Sequence, residues 1–167
     1  FKKNLRDKNI MVTGGDTYID FYKSLSKQKF SWENINLFLT DERINFEKNL
    51  SKQNYTLINN IFLKKLKYNK PNFFFNINNY RNKKIFKIPN YLEKEFSNYN
   101  QINLAFIAIG ADGHLASIFN SNPLFFSKKK NFIITKKTSE NFYRISFNMR
   151  YFLSIKKIIL VIFGKNK

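Results

Sequence analysis

Apolar positions along the chain fall into two kinds of block. Short, nearly unbroken apolar runs occur at residues 9–13, 35–40, 103–109 and 157–163. Runs of this length, closed by glycine or charged residues, read as β-strands. Between the first two, Tyr18, Phe21, Tyr22 and Leu25 recur at i, i+3, i+4 and i+7, the spacing of one helix face. Tyr55, Ile58, Ile61, Phe62 and Leu66 repeat that pattern and predict a helix over about residues 51–66. Further helices are predicted near residues 91–99 and 149–154, and further strands at 72–76, 132–134 and 143–147. The run 103–109 is apolar without alternation, as expected of a parallel strand covered on both faces.

Strands alternating with helices predict an α/β fold built on a mainly parallel sheet with helices on its faces. The 167 residues contain no internal repeat and no low-complexity linker, so a single domain spanning residues 1–167 is expected.

Three polar motifs follow predicted strand ends. Gly14-Gly15-Asp16-Thr17 closes the first strand, Asp41-Glu42-Arg43 the second, and Asp112-Gly113-His114 follows the run 103–109. Open α/β sheets bind ligands at the carboxyl ends of their strands, so parallel strands would bring all three motifs to one rim. Gly14 and Gly15 allow backbone to approach a ligand, and the following helix start offers free N–H groups to a phosphate. Asp16 or Thr17 is expected to cap that helix. Arg43 supplies a cation that can hold a substrate oxygen or orient a catalytic carboxylate. His114 is the chain's only histidine. With an ordinary pKa of about 6.5 it can accept a proton near neutrality. Asp112, two residues earlier, is placed to orient it or the substrate.

Composition narrows the chemistry. Without cysteine there is no disulfide, thiolate metal site or cysteine nucleophile, and one histidine excludes the usual multi-histidine metal sites. No apolar run approaches the ~20 residues a membrane helix needs, and the first residues lack the apolar core of a secretory leader. A cytoplasmic protein without membrane partners is expected. The formal charge is +19, from 30 Lys and Arg against 11 Asp and Glu. That suits an anionic partner, but the lysines are scattered in pairs and triplets rather than gathered on one helix, as compositional bias alone would leave them.

The order of these motifs resembles the 6-phosphogluconolactonase branch of the sugar-phosphate isomerase/lactonase superfamily. The resemblance is carried by Gly14-Gly15-Asp16-Thr17, Asp41-Glu42-Arg43, Ser51 to Asn54, Arg144-Ile145-Ser146, Gly164-Lys165-Asn166-Lys167 and, most specifically, Gly110-Ala111-Asp112-Gly113-His114-Leu115-Ala116-Ser117-Ile118-Phe119. It implies a Rossmann-like fold and hydrolysis of 6-phospho-D-glucono-1,5-lactone to 6-phosphogluconate by a monomer, with no metal, cofactor or nucleic acid. His114 would be the general base, with Asp112 and Arg43 positioning the reacting groups. Gly14, Gly15, Thr17, Arg144 and Lys167 would hold the substrate phosphate. Asp16 stands where the family has a small residue, and is expected to point away from the phosphate or cap the helix. The family pattern also has further elements before the Gly-Gly turn and after the last motif. Their lack here would leave a sheet edge and apolar surface uncovered.

Two other readings remain at this point. The sister branch, glucosamine-6-phosphate deaminase, shares Asp-Gly-His but follows it with a glutamate, where this chain has Leu115, Ala116 and Ser117. A non-catalytic basic binding module would account for the charge but not for three motifs on strand ends.

Overall fold

The computed structural model describes residues 8–46, 52–99, 101–110, 112–119, 126 and 130–162. In chain order its strands are β1 (Lys8–Val12), β2 (Ile35–Leu39), β3 (Asp41–Ile44), β4 (Asn72–Phe74), β5 (Leu104–Ala108), β6 (Phe132–Thr135), β7 (Tyr143–Phe147) and β8 (Ile158–Val161). The helices are α1 (Ile19–Leu25), α2 (Asn54–Ile61), α3 (Ile88–Phe96) and α4 (Met149–Ser154). Five strands form a parallel sheet in the order β4-β2-β1-β5-β8. The order reverses at β1, so the crevice between the ends of β1 and β5 is the topological switch point of the sheet.

The parallel sheet is the one the hydrophobic runs predict. A second sheet, β3-β7-β6, is antiparallel and was not foreseen. Asp41-Glu42-Arg43 is therefore not a loop after a strand but a strand itself. The chain changes sheets within one residue. Thr40 donates its N–H to Val12 of β1 at 3.0 Å, while its carbonyl accepts the N–H of Phe147 in β7 at 3.2 Å. The predicted helix over 51–66 is also shorter: α2 stops at Ile61, and a 3₁₀ turn, Leu63–Lys65, continues it. α3 starts earlier than its apolar spacing suggested, because Pro89 suits the first turn of a helix.

Register in the parallel sheet is held by asparagines as well as by backbone. Asn9, Asn36 and Asn72 are aligned across β1, β2 and β4. The Asn36 amide donates to Asn9 at 2.9 Å, and the Asn72 amide to Asn36 at 3.0 Å. Asn9 and Asn36 are buried, so a slip by one residue would strand these amides without partners.

Aromatic rings fill the space between the two sheets. Phe38 of β2 meets Phe74, Phe96 and Tyr99, and Phe96 in turn meets Phe132, Phe147 and Tyr151. Phe132 and Phe147 lie 4.3 Å apart, centroid to centroid. On the opposite face, Phe21 and Tyr22 of α1 cover part of β1 and β5, beside Trp32 and Phe62. The covering is incomplete. An apolar hollow of about 610 Å³ runs over Ile10, Leu104 and Phe106. β5 is thus half-buried in alternation rather than covered on both faces. β8, at the sheet edge, leaves Ile158, Ile159 and Leu160 exposed.

Phe147 is fully buried and packs against Phe132 of β6, Phe96 of α3 and Tyr151 of α4. Phe147→Ala should cost about 3–5 kcal/mol of stability. Urea unfolding would check this, and a loss below about 1 kcal/mol would show that the rings repack freely.

Candidate active site

The Gly110–Phe119 segment leaves β5 and folds back on itself. Gly110 donates its N–H to the His114 carbonyl at 2.9 Å, and Gly113 donates to the Gly110 carbonyl at 3.1 Å. Gly113 has φ +79°, which explains its glycine. At Gly110 a Cβ atom would collide with the His114 ring, so the imidazole can lie over the backbone only because that side chain is absent. Ala116 holds φ 52°, a left-handed conformation that turns Ser117 inward beneath the loop.

His114 Nδ1 is hydrogen-bonded to a carboxylate oxygen of Asp112. The imidazole is about a quarter exposed (27%) and Asp112 about half (53%). That hydrogen bond is the chief reason the Asp112 carboxyl is held down at about 2. An ionised Asp112 accepts from Nδ1–H, which leaves Nε2 with a lone pair to take a proton. Lys137 approaches the other Asp112 oxygen at 3.5 Å.

A chain of polar groups ties this loop to the strand ends. The Thr13 hydroxyl donates to the Phe106 carbonyl at 3.0 Å, and the Thr40 hydroxyl lies 3.3 Å from that of Thr13. Thr40 donates to Asp41 at 3.0 Å, and the Ser117 hydroxyl donates to the other Asp41 oxygen. The end of β2, the start of β3 and the histidine loop are thereby joined side chain to side chain, with the Thr13 hydroxyl at the end of β1 in contact with them.

Glu42 is buried and organises the other side. One of its oxygens accepts the N–H groups of Arg43 at 2.6 Å and Asn54 at 2.8 Å, and the other accepts from Tyr55 at 2.7 Å. The last two are orphan donors at the start of α2, so Glu42 caps that helix from a neighbouring strand. Burial pushes its carboxyl up to about 7, against the pull of the three N–H groups. The Asn54 side chain donates to the Asp41 carbonyl at 2.9 Å and lies against Gly14, where a Cβ would strike it.

These elements enclose a cavity of about 630 Å³ whose polar lining includes Gly15, Arg43, Lys52, Asn54, Glu140 and Arg144. Arg43 donates to the Lys52 carbonyl. The Arg144 guanidinium lies 5.4 Å from the Phe119 ring and 5.3 Å from the Phe142 ring. Phe119 also packs against His114 at 5.1 Å, so one ring separates the imidazole from the arginine.

Of the residues singled out from sequence, His114 and Asp112 are paired, and Arg43, Gly15 and Arg144 line the cavity. Gly14 is buried beneath Asn54 instead, making room for that side chain. Thr17 is not part of the described cavity lining. Neither Asp16 nor Thr17 caps the helix: both lie in a 3₁₀ turn, Asp16–Tyr18, that leads into α1, whose cap position is Tyr18 with no side-chain hydrogen bond, and Asp16 is exposed at the cavity's edge. Lys167, with Gly164 and Ser51, lies outside the described residues. Asn54, Ser117 and Phe119 belong to the quoted motifs but were not given roles. Glu140 had no sequence signal at all, standing in a polar loop among other charged residues.

A family model described as glucosamine-6-phosphate isomerases/6-phosphogluconolactonase matches residues 2–167. A 6-phosphogluconolactonase of Thermotoga maritima is 32% identical over 123 residues, covering 71% of this chain and 54% of that relative. The chain thus matches about half that relative's length. A 6-phosphogluconolactonase of Borreliella burgdorferi is 27% identical over 164 residues, covering 95% of this chain and 69% of its own. The crystal structure of a 6-phosphogluconolactonase from Thermotoga maritima superposes with a TM-score of 0.79 at 26% identity, covering 96% of this chain and 72% of that one.

Glu42 gives this site a pH signature. Its folded-state value lies above the ordinary 4.5, so the folded chain binds this proton more readily than the unfolded chain does. The Glu42 contribution to stability is then largest below 4.5 and declines as pH rises through about 7. Between about pH 5 and about pH 8, the wild type should lose roughly 1–3 kcal/mol relative to Glu42→Gln. Urea unfolding of both proteins at the two pH values measures it, and a constant difference would count against the assignment.

Proposed function

The chain belongs to the glucosamine-6-phosphate isomerase/6-phosphogluconolactonase family, and from that premise we propose that it hydrolyses 6-phospho-D-glucono-1,5-lactone to 6-phosphogluconate. The observation that carries the reading is the Asp112–His114 pair beside a cavity lined by Arg43 and Arg144. A base and a cationic pocket at one rim are what a phosphorylated lactone requires.

Asp112 keeps His114 in the tautomer whose Nε2 can accept a proton. His114 takes that proton from water, and the hydroxide adds to the lactone carbonyl carbon. The tetrahedral intermediate collapses by breaking the ring C–O bond. The proton held on His114 passes to the departing ring oxygen, leaving the open-chain acid. None of these steps calls on a metal or cofactor. Arg144, the Gly15 backbone and, by the family spacing, Lys167 hold the phosphate at a distance from the reacting carbon. Arg43 fixes the cavity wall through Lys52 and adds positive potential. Gly14 and Thr17 act indirectly, by letting Asn54 close in and by shaping the turn. The positive surface speeds encounter with a dianionic substrate. Among the described residues no helix is long and apolar enough to cross a membrane. We place the activity in the cytoplasm as part of the same proposal, with the protein acting as a monomer and without nucleic acid.

Lactone hydrolysis followed by acid release should run above the spontaneous rate and fall by roughly 10²–10⁴-fold in His114→Ala. The same protein should release no ammonia from glucosamine 6-phosphate. A purified chain that does not accelerate lactone opening, or a His114→Ala variant as fast as wild type, would refute the proposal.

A further inference from the structure

Arg144 is not an open receptor. Its Nε donates to one Glu140 oxygen at 2.8 Å and its Nη2 donates to the other, a two-pronged pairing along one edge of the guanidinium. The second edge is turned to Asp41, whose nearer oxygen is 4.0 Å from Nη1. Phe119 and Phe142 restrict the group further. Both partners are largely withdrawn from solvent, with side chains 11% and 20% exposed. The edge that would grip a phosphate is therefore already filled by a carboxylate of matching geometry.

The two carboxylates around Arg144 are not equivalent. Asp41 is fixed by the Thr40 and Ser117 hydroxyls and is buried at the junction of the sheets. Glu140 stands in the loop joining β6 to β7. Its N–H closes a turn to the Lys137 carbonyl at 3.0 Å, but its carboxylate is held, among the described residues, by Arg144 alone. One of the two can leave without disturbing the fold.

We propose that Glu140 is a resident stand-in for the substrate phosphate: it occupies Arg144 in the free protein and is displaced when a phosphate binds, so that it sets phosphate affinity. This rests on the reading of the cavity as the phosphate pocket. A tethered carboxylate competes at a high effective concentration. A doubly charged phosphoryl group outcompetes it, whereas singly charged anions gain little. Glu140 thereby raises the threshold for occupancy and favours dianions, while leaving the chemistry at His114 untouched.

The test uses the full chain and inorganic phosphate alone, titrated by calorimetry, with lactone kinetics in parallel. Glu140→Gln keeps the shape and removes the charge. It should bind phosphate roughly tenfold more tightly than wild type and lower KM with kcat unchanged. Arg144→Gln should lose phosphate binding. Glu140→Asp, which shortens the reach but keeps the charge, should tighten binding by a smaller factor, and serves if the glutamine variant folds poorly. If Arg144→Gln loses binding while Glu140→Gln binds as wild type or more weakly, Glu140 orients Arg144 rather than competing for it. The inference then fails, and the phosphate pocket stands. If Arg144→Gln binds phosphate as wild type does, the pocket reading itself fails and takes the inference with it.

Discussion

The arrangement depends on a carboxylate placed where carboxylates are costly. Glu42 is buried at the point where the chain passes from the parallel to the antiparallel sheet. An isolated charge there would be strongly disfavoured. It is tolerated because three backbone N–H groups converge on it, two of them from the start of α2. The interaction is reciprocal: α2 lacks a side-chain cap of its own and finds its acceptor on a strand. Removing either partner would leave the other buried and unsatisfied. Both α2's entry and Arg43's backbone are thereby located relative to β3, which sets one wall of the cavity.

The opposite wall is located by hydroxyls. The sequence Thr13, Thr40, Asp41, Ser117 crosses from the end of β1 to the loop that carries His114. Each member is short, so there is little rotamer freedom for the linkage to lose. A histidine on a ten-residue loop would otherwise be poorly placed for proton transfer. Here its ring rests on Gly110 and Phe119, and its loop is anchored below through Ser117. The His114–Asp112 pair and the cavity that Arg144 lines are thus parts of one framework spanning both sheets.

The parallel sheet was legible because its strands are apolar runs ended by glycine or charge, a signal that burial itself writes into the chain. The histidine site was legible because Asp112, Gly113 and His114 sit within three residues of one another, so local geometry decides their contact. The second sheet was not. Asp41-Glu42-Arg43 has the composition of a loop, and only its pairing with β7, about a hundred residues later, makes it a strand. Gly14 carried a similar ambiguity: a glycine beside a ligand and a glycine under an asparagine look alike until Asn54 is seen against it. Thr17 and Asp16 were read by propensity as caps, but they form a 3₁₀ turn that starts at Gly15 (φ 88°, ψ 170°), and the cap position of α1 falls to Tyr18. Glu140 meets Arg144 across a hairpin bend, and i, i+4 spacing outside a helix gives no warning of contact.

Trp32 has a use that its burial beside Phe30 and Phe62 makes available. It is the chain's single tryptophan, and it precedes β2, whereas the cavity lies beyond that strand's other end. Its emission therefore reports the packing of the sheet's amino-terminal end and is remote from the cavity. The protein carries a built-in optical probe that separates loss of fold from loss of binding: a variant silent toward phosphate but with unaltered tryptophan emission has been changed at the rim, not in the body.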